Sequence, residues 1–293
     1  MKRAFLLFTL VALFFGCQHA PKQGDEVFFK GKDSYERDVL IKNEPQRIVS
    51  FSQAVTEAIY LLHAEKKLVG ISTFCTYPPE TEKITKVGDL LNINVESVLA
   101  QRPDLIIVGS VVSPKTVDNF EKAGVPVYCL KEEDRLADMP RLIRSTGRLL
   151  NRDAAADSLA KVYEGKIRQY QSRAAIGDKS VYYVVGFGAS GDFTASGNTF
   201  IHDIITLAGG RNIGEPLTTW SVSREFLFQQ DPEYIFIRKE DLESFCNTAP
   251  YNLLTAVKEG RIYPIESGWI DNLCPRNFLA IDYIAEKIGT TAP

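Results

Sequence analysis

The sequence predicts an α/β protein with two lobes, each built on a mainly parallel central sheet and joined by one long helix. Three features support this fold class. Residues Gln46–Pro79 have the pattern strand, helix, strand; the same alternation returns in both halves; and a long helical pattern separates them. A strand–helix–strand unit implies parallel strands with a right-handed crossover. Ligands of such sheets bind beyond the carboxyl ends of the strands, here at Ser50–Gln53 and Thr73–Tyr77.

The first strand–helix–strand unit follows from local apolar patterns. Arg47–Ser52 is a short apolar β run, and Leu68–Ile71 is a second strand of the buried type. Between them, Val55, Ile59 and Leu62 recur at helical spacing, which predicts a helix that opens at Thr56–Glu57. An aromatic loop follows the second strand.

The remainder of the first half repeats this alternation. We expect a short helix at Asn94–Ala100 and a second helix at Pro114–Ala123, which begins at a proline and ends before a glycine. Asp104–Gly109 and Val125–Leu130 are the strands expected around the second helix. Phe28–Ile41 is expected to add an edge hairpin before the main fold.

A long helical pattern, Asp138–Ala175, separates the two halves, with a bend expected near Asn151–Asp153. The second half then repeats the α/β plan, with strands expected at Ser180–Gly186, Glu233–Ile237 and Arg261–Ile265 and helices at Thr199–Leu207, Ser223–Gln230 and Asn277–Ile288. These patterns divide the chain into a signal (1–16), a tether with the edge hairpin (17–45), an N-terminal lobe (46–150), a linking helix (151–176) and a C-terminal lobe (177–293).

The composition is that of a globular protein with a sizeable core. Of the 293 residues, 45% are hydrophobic and 24% are charged, and the formal net charge is -3. Basic residues are not clustered along the chain, which argues against nucleic acid or an anionic membrane surface as the main partner.

The N-terminus has the pattern of a bacterial export signal. Lys2 and Arg3 precede the apolar segment Ala4–Phe15, which is too short to span a bilayer. The glycine–cysteine pair that follows resembles a lipobox, so Cys17 is expected to be lipidated and to anchor the mature protein to the cell envelope, facing the periplasm. An ordinary secretion signal with an incidental cysteine is the alternative. Gln18–Glu26 is polar, as a flexible tether should be.

Export would place the other four cysteines in an oxidising compartment, where three pairings are open to them. A pairing within each half, Cys75 with Cys129 and Cys246 with Cys274, is conceivable, and free buried cysteines are the equal alternative. The sequence contains no CxxC, which disfavours a thioredoxin-type or structural zinc site.

Gly186–Gly191 matches the GxGxxG pattern after a predicted strand. A dinucleotide site needs a helix to begin within the glycines, whereas the next predicted helix begins near Thr199. We therefore expect a flexible loop that brings Phe187 and Phe193 to a cleft, and no bound cofactor.

Metal binding and hydrolysis are also disfavoured. The histidines His19, His63 and His202 lie in the tether and in helices of different halves, so the sequence does not cluster them as metal ligands. No GxSxG motif is present to supply a hydrolase nucleophile. Neither catalytic residues nor a metal site are therefore predicted.

Aromatic residues near the predicted strand ends give the remaining signal. Each stands in a segment that contains glycine, proline, serine or threonine, where exposure is expected. A cleft lined by them would suit a large, flat, partly apolar ligand. They are Phe74, Tyr77, Phe187, Phe193, Trp220 and Trp269.

From Arg47 to the C-terminus, ordered motifs resemble the substrate-binding proteins of ABC importers for cobalamin and ferric chelates, the class III periplasmic binding proteins. They include RIVSFSQAVTEAIYLL, LVGISTFCTYPP, NVESVLAQRPDLIIVG, DFTASGNTFIHDIITLAGGRNI and VSREFLFQQDPEYIFI. The resemblance implies two lobes joined by a rigid helix, a ligand between them, and small opening motions. It also implies a monomer without enzymatic activity that delivers its ligand to a permease, whose ATPase subunit hydrolyses ATP.

The same resemblance assigns permease docking to two glutamates, one in each lobe. Glu96 in NVES and Glu225 in VSRE match the docking glutamates of the family, which pair with arginines of the permease. A solvated carboxylate at the start of a helix is the alternative for each.

The identity of the ligand stays open at this point. Phe74 and Phe193 match aromatic contacts of the cobalamin binders, and Trp269 resembles part of their Asp-Trp-Phe segment. Other positions depart from that pattern: Leu90 and Gly109 replace tryptophans, Gly268 replaces an aspartate, and Trp220 is displaced by one position.

A ferric siderophore or haem is the other ligand class that the resemblance allows. Tyr77 or Arg276 would then meet an oxygen ligand, iron or a carboxylate. Lys30–Pro45 resembles the edge hairpin of siderophore binders. An exported α/β enzyme and a chelate-binding lipoprotein without a permease are the remaining functional alternatives.

Overall fold

The computed structural model describes residues 27–89, 93–109, 112–131, 134–173 and 177–290. Outside these ranges lie the expected signal, Cys17 with its expected lipidation, the tether histidine His19, and Leu90. Within them, no helix is both long enough and apolar enough to cross a membrane.

The N-terminal lobe is built on a four-stranded parallel sheet with the order β4-β3-β5-β6. Its strands are β3 (Ile48–Ser50), β4 (Leu68–Ile71), β5 (Leu105–Val108) and β6 (Val127–Cys129). The helices between and after them are α1 (Gln53–Leu61), α2 (Val95–Ala100), α3 (Pro114–Lys122) and α4 (Met139–Leu149). Each predicted strand and helix of this half is present, although α1 begins three residues before Thr56, at the Ser52 cap.

The predicted edge hairpin is also present, as β1 (Phe29–Lys32) and β2 (Asp38–Ile41). It covers the outer edge of the sheet, because Ser34 donates its backbone N–H to Cys129 O at 3.0 Å. Arg37 reinforces this contact by donating to Val127 O at 2.7 Å. An exposed strand edge invites pairing with other chains, so the hairpin protects the sheet.

The long helical pattern divides at the expected bend. α4 ends at Leu149, Asn151 has a positive φ of 57°, and the linking helix α5 runs from Asp153 to Arg173. The left-handed conformation at Asn151 is one that asparagine tolerates, and it turns the chain between the two helices.

The C-terminal lobe contains a mixed six-stranded sheet with the order β10-β8-β7-β11-β12, and β9 pairs with β7. Its strands are β7 (Ser180–Gly186), β8 (Asp192–Thr194), β9 (Arg211–Asn212), β10 (Ser221–Val222), β11 (Tyr234–Arg238) and β12 (Ile262–Ile265). Its helices are α6 (Phe200–Leu207), α7 (Arg224–Gln230), α8 (Leu242–Asn247), α9 (Thr255–Lys258), α10 (Ser267–Ile270) and α11 (Asn277–Ile288).

The segment after β7 corrects one expectation. Instead of a flexible loop, residues 186–194 form a β-hairpin in which β8 runs antiparallel to β7, with Phe193 opposite Gly186. The glycine-rich turn between the strands explains the GxGxxG pattern, since Gly188 and Gly191 have φ values of 98° and 107° that favour glycine.

The buried core distinguishes two faces of each lobe. On the face toward α5, called here the linker side, one hydrophobic cluster runs through both lobes and includes Ile48, Ala160 and Phe236. On the opposite face, called the far side, each lobe has its own cluster, which includes Phe120 in the N-terminal lobe and Phe245 in the C-terminal lobe. The lobes therefore share a core on the linker side and are separate on the far side.

Candidate ligand cleft and docking surface

The loop after β4 presents two aromatic side chains at the carboxyl edge of the N-terminal sheet. Gln53, the first residue of α1, holds this loop: its Oε1 accepts from Thr76 N at 2.8 Å, and its Nε2 donates to Tyr77 O at 3.0 Å. The exposed fractions of Phe74 and Tyr77 are 66% and 39%. A fixed loop with exposed aromatic residues can contact a flat apolar ligand at little cost in conformational entropy.

An ion pair between the lobes lies beside this loop. Arg276, which immediately precedes α11, donates from Nη2 and Nε to Glu57 Oε2 of α1 at 2.9 and 3.1 Å. The two side chains are 13% and 4% exposed. The guanidinium also stacks on the Tyr77 ring, with 4.0 Å between its central carbon and the ring centroid. The structure thus brings together Tyr77 and Arg276, two of the predicted ligand residues.

Burial dominates the electrostatics of this pair. Loss of solvent raises the pKa of Glu57 above its ordinary value, and the hydrogen bonds and charge of Arg276 only partly oppose this effect. Burial also raises the pKa of the nearby Cys274 thiol to about 12, with the charge of Glu57 adding to the shift. Cys274 is therefore protonated at neutral pH and is not a reactive thiol.

Gly268 provides the space that Arg276 occupies. A Cβ atom on residue 268 would lie 2.2 Å from Arg276 Nη1, so no larger residue fits without moving the guanidinium. The aspartate that the resemblance led us to expect at this position is absent. The glycine in its place leaves the space in which Arg276 lies at the cleft.

The aromatic residues of the C-terminal lobe differ in exposure. Trp220 precedes β10 and is 41% exposed. Phe193 is half-buried and its ring lies over Gly186 and Gly191. Phe187, by contrast, packs edge-on against Phe245 at 5.0 Å between ring centroids, in the far-side core.

Trp269 is also half-buried and packs edge-on against Tyr283 of α11, with 6.0 Å between the ring centroids. Of the predicted aromatic set, Phe74, Tyr77 and Trp220 are therefore the most exposed. Phe187 and Trp269 are largely engaged in packing.

Both predicted docking glutamates lie on the far side, at the second position of a capped helix. In α2, Asn94 Oδ1 accepts from Ser97 N at 2.9 Å, and Glu96 is exposed. In α7, Ser223 Oγ accepts from Phe226 N at 3.1 Å, and Glu225 is exposed. Because α2 and α7 pack on the two far-side clusters, both carboxylates lie on the side opposite α5.

A cavity of about 540 Å³ lies on the linker side and is lined by Ile167 of α5 and by Leu207 of α6. A second ion pair between the lobes borders it, in which Arg135 Nε donates to Asp203 Oδ2 at 3.0 Å. The predicted ligand residues do not line this cavity, so it is distinct from the cleft at Tyr77.

His202 also lines this cavity and is half-buried. Burial lowers the pKa of this imidazole, which is therefore neutral at physiological pH.

The described residues contain neither a cluster of metal ligands nor a disulfide. Groups of three or more His, Cys, Asp or Glu side chains that could hold a metal ion do not occur among the described residues. Cys75, Cys129, Cys246 and Cys274 form no disulfide, so the conceivable pairing within each half is not formed.

Glu57 is the site residue that sequence reasoning missed. It is separated from Arg276 by 219 positions. An acidic residue within the apolar helix pattern of α1 was the available signal, because a buried carboxylate requires a partner.

Comparison with known proteins places this geometry in a family. The chain is 28% identical over 279 residues to an uncharacterized ABC transporter substrate-binding lipoprotein of Bacillus subtilis, covering 91% of this chain and 88% of that protein. It is 26% identical over 260 residues to a cobalamin-binding protein of Halobacterium salinarum, covering 83% and 69%.

The structure resembles a periplasmic heme-binding protein of Pseudomonas aeruginosa, with a TM-score of 0.73, 25% identity, and coverage of 83% of this chain and 91% of that one. The expected class III arrangement of two α/β lobes is thereby confirmed. Residues 48–267 match the family model described as periplasmic binding protein. This chain therefore belongs to the periplasmic binding protein family.

Proposed function

We propose that this protein is the substrate-binding lipoprotein of an ABC importer, which captures a metal chelate between its lobes and delivers it to a membrane permease. The observation that carries the proposal is the placement of Glu96 and Glu225, one from each lobe, on the side where the lobes are separate. A permease that contacts both carboxylates would span the cleft. The similarity to a substrate-binding lipoprotein supports the same function.

The ligand is a cobalamin or another corrinoid, or a ferric siderophore, held against the aromatic loop after β4. Exposed Phe74 and Trp220 provide flat apolar surface, one from each lobe. The similarity to a cobalamin-binding protein supports the corrinoid class.

Haem is the second candidate ligand, favoured by the contact between Tyr77 and Arg276. A phenol oxygen can bind ferric iron, and a guanidinium forms bidentate hydrogen bonds with carboxylates. Arg276 is engaged by Glu57, so a haem carboxylate would have to compete with that partner. The similarity to a heme-binding protein supports this alternative.

The N-terminal sequence supports export and anchoring. Cys17 would carry the lipid, and the polar residues 18–26 would link it to the folded protein in the periplasm. A mass measurement of the membrane-extracted protein tests this, since lipidation adds the mass of the acyl chains to a chain that begins at Cys17. An unmodified cysteine in that fraction would contradict it.

A titration tests the ligand class. The protein without residues 1–17 is titrated separately with cyanocobalamin, haem and ferric siderophores, and absorbance and tryptophan fluorescence are followed. Trp220 and Trp269 are the two tryptophans of the chain. Saturable binding of one class without conversion of the ligand is expected.

The opposing outcomes are distinct. Conversion of the bound ligand would favour the exported enzyme. Binding of none of these compounds would contradict the proposed ligand classes.

A further inference from the structure

Arg224, the first residue of α7, holds the helix of Glu225 against the β7–β8 hairpin. Arg224 Nε donates to Asp192 Oδ2 at 2.9 Å, and Nη2 donates to Gly188 O at 2.9 Å. Asp192 begins β8, and Gly188 lies in the turn between β7 and β8. Glu225 is the next residue along α7, so it directly follows the residue that contacts the hairpin.

The Asp192 carboxylate is the buried partner in this contact. Its side chain is 4% exposed. Besides Arg224, it accepts a hydrogen bond from the Tyr251 hydroxyl and another from Gly188 N at 3.3 Å. Because a buried carboxylate is costly without its partners, Arg224 and Asp192 are expected to move together.

The opposite face of β8 carries Phe193. Successive side chains of a strand point to opposite faces, so Phe193 and Asp192 respond to the same displacement of the strand. The Phe193 ring is closely packed, since a Cβ atom on Gly186 would lie 3.2 Å from it. In the neighbouring strand β10, Val222 pairs with Asp192, and the Ser223 cap of α7 follows directly.

We propose that Arg224 is a positioning residue that passes a displacement of the β7–β8 hairpin to Glu225. A ligand that moves the Phe193 ring shifts β8, Asp192 follows, and Arg224 changes the orientation of the first turn of α7. Loaded and empty protein then present Glu225 differently to the permease. The inference rests on the proposed docking role of Glu225.

A glycine substitution tests the coupling without a ligand. In Gly186→Ala, the new methyl group presses on the Phe193 ring and shifts β8. Amide hydrogen exchange is measured at residues 226–228 of α7, in the parent chain and in an Arg224→Met background. We expect Gly186→Ala to change the exchange rates of these amides severalfold in the parent chain. In the Arg224→Met background, we expect Gly186→Ala to leave the exchange rates unchanged.

The comparison is a double-mutant cycle, which separates coupling from a general loosening of α7 by Arg224→Met. Arg211→Met, at an exposed arginine of β9, should preserve the response to Gly186→Ala. Gly165→Ala controls for the glycine change, because the nearest atom to its Cβ is 4.0 Å away. Arg224→Lys should restore part of the response.

Two outcomes would overturn the proposal: an unchanged α7 after Gly186→Ala in the parent chain, or an equal response with and without Arg224. Neither outcome bears on whether Glu225 contacts a permease, because the measurement uses no permease and no ligand. Failure of the coupling and failure of the proposed function are therefore distinguishable.

Discussion

Arg276 illustrates how one side chain at the cleft is fixed by residues far from it in the chain. Glu57 supplies the carboxylate, Tyr77 supplies the ring face, and Gly268 leaves the space. Sequence resemblance singled out Arg276 and Tyr77 but assigned no partner to either. The partner is 219 positions away, and no local pattern encodes so distant a contact.

The space at residue 268 leads to a prediction for Gly268→Ala. The new Cβ would lie 2.2 Å from Arg276 Nη1, so the guanidinium must shift from the position in which it binds Glu57. Because a buried ion pair is then distorted, the free energy of unfolding should fall by about 1–2 kcal/mol. Denaturant unfolding measures this loss, with Ser267→Ala as the neighbouring control. Equal stability of the two variants would contradict the steric argument.

The raised pKa of Glu57 predicts a pH dependence of stability. Its ordinary value is 4.5, and burial raises it in the folded protein. The folded chain then binds this proton more tightly than the unfolded chain, so the favourable contribution is complete below pH 4.5 and is lost as the pH rises through the folded pKa.

Glu57→Gln removes that titration. It also leaves the Arg276 charge without a carboxylate partner, and the effect of this loss on stability does not vary with pH. From pH 4 upward, stability of the parent protein relative to Glu57→Gln should therefore decline until the folded pKa of Glu57 has been passed, by about 1.4 kcal/mol for each unit of pKa difference. Unfolding free energies of both proteins across this pH range provide the measurement. A difference that rises with pH would show that Arg276 outweighs burial.

Among the secondary-structure elements, the long apolar strands and the periodic helices were predictable from sequence. β5 is a continuous apolar run, β11 is apolar up to Ile237, and α5 has a pattern long enough to identify despite Gly165. β8 and β10 were not predictable, because strands of three and two residues without an apolar run carry no usable periodicity and depend on pairing with each other.

The contact between α4 and α5 depends on a glycine. A Cβ atom on Gly147 of α4 would lie 2.2 Å from the Cβ of Ala156 in α5. Replacing a helical glycine by alanine normally stabilises a helix by up to about 1 kcal/mol. Here the overlap should reverse the sign, because the two helices cannot separate without disturbing the linker-side core.

Gly147→Ala should therefore lower the free energy of unfolding by about 1–3 kcal/mol. Gly165→Ala in α5 is the matched control. The nearest atom to its new methyl group is 4.0 Å away, so this substitution should be neutral or stabilising. Thermal and denaturant unfolding of both variants test the comparison. If Gly147→Ala proved as stable as Gly165→Ala, the close approach of the helices would not limit stability.

At the scale of the whole molecule, the division of the core determines how the lobes can move. The linker-side cluster is continuous through α5, and the Arg135–Asp203 and Glu57–Arg276 pairs join the lobes. On the far side the hydrophobic clusters are separate. Opening should therefore be a small motion that widens the far side, where Glu96 and Glu225 lie.

Replacing Glu96 and Glu225 by alanine should abolish transport and preserve ligand binding. Each carboxylate is exposed and sits in a capped helix, so neither substitution removes a buried contact. If each forms a charge pair with the permease, losing both should reduce uptake at least tenfold, which corresponds to about 1.4 kcal/mol or more. Uptake into cells that carry the cognate permease is measured beside the affinity of the purified variant for the same chelate.

The matched control replaces Glu82 and Glu286, which are likewise exposed and come one from each lobe but lie outside α2 and α7. This control keeps the change in net charge equal, so a general electrostatic effect on encounter with the membrane would slow both double variants alike. A specific loss of uptake in the Glu96/Glu225 variant assigns docking to these two positions. Normal uptake by that variant would contradict the docking role. Equal slowing of uptake in both double variants would indicate long-range electrostatic attraction instead of docking.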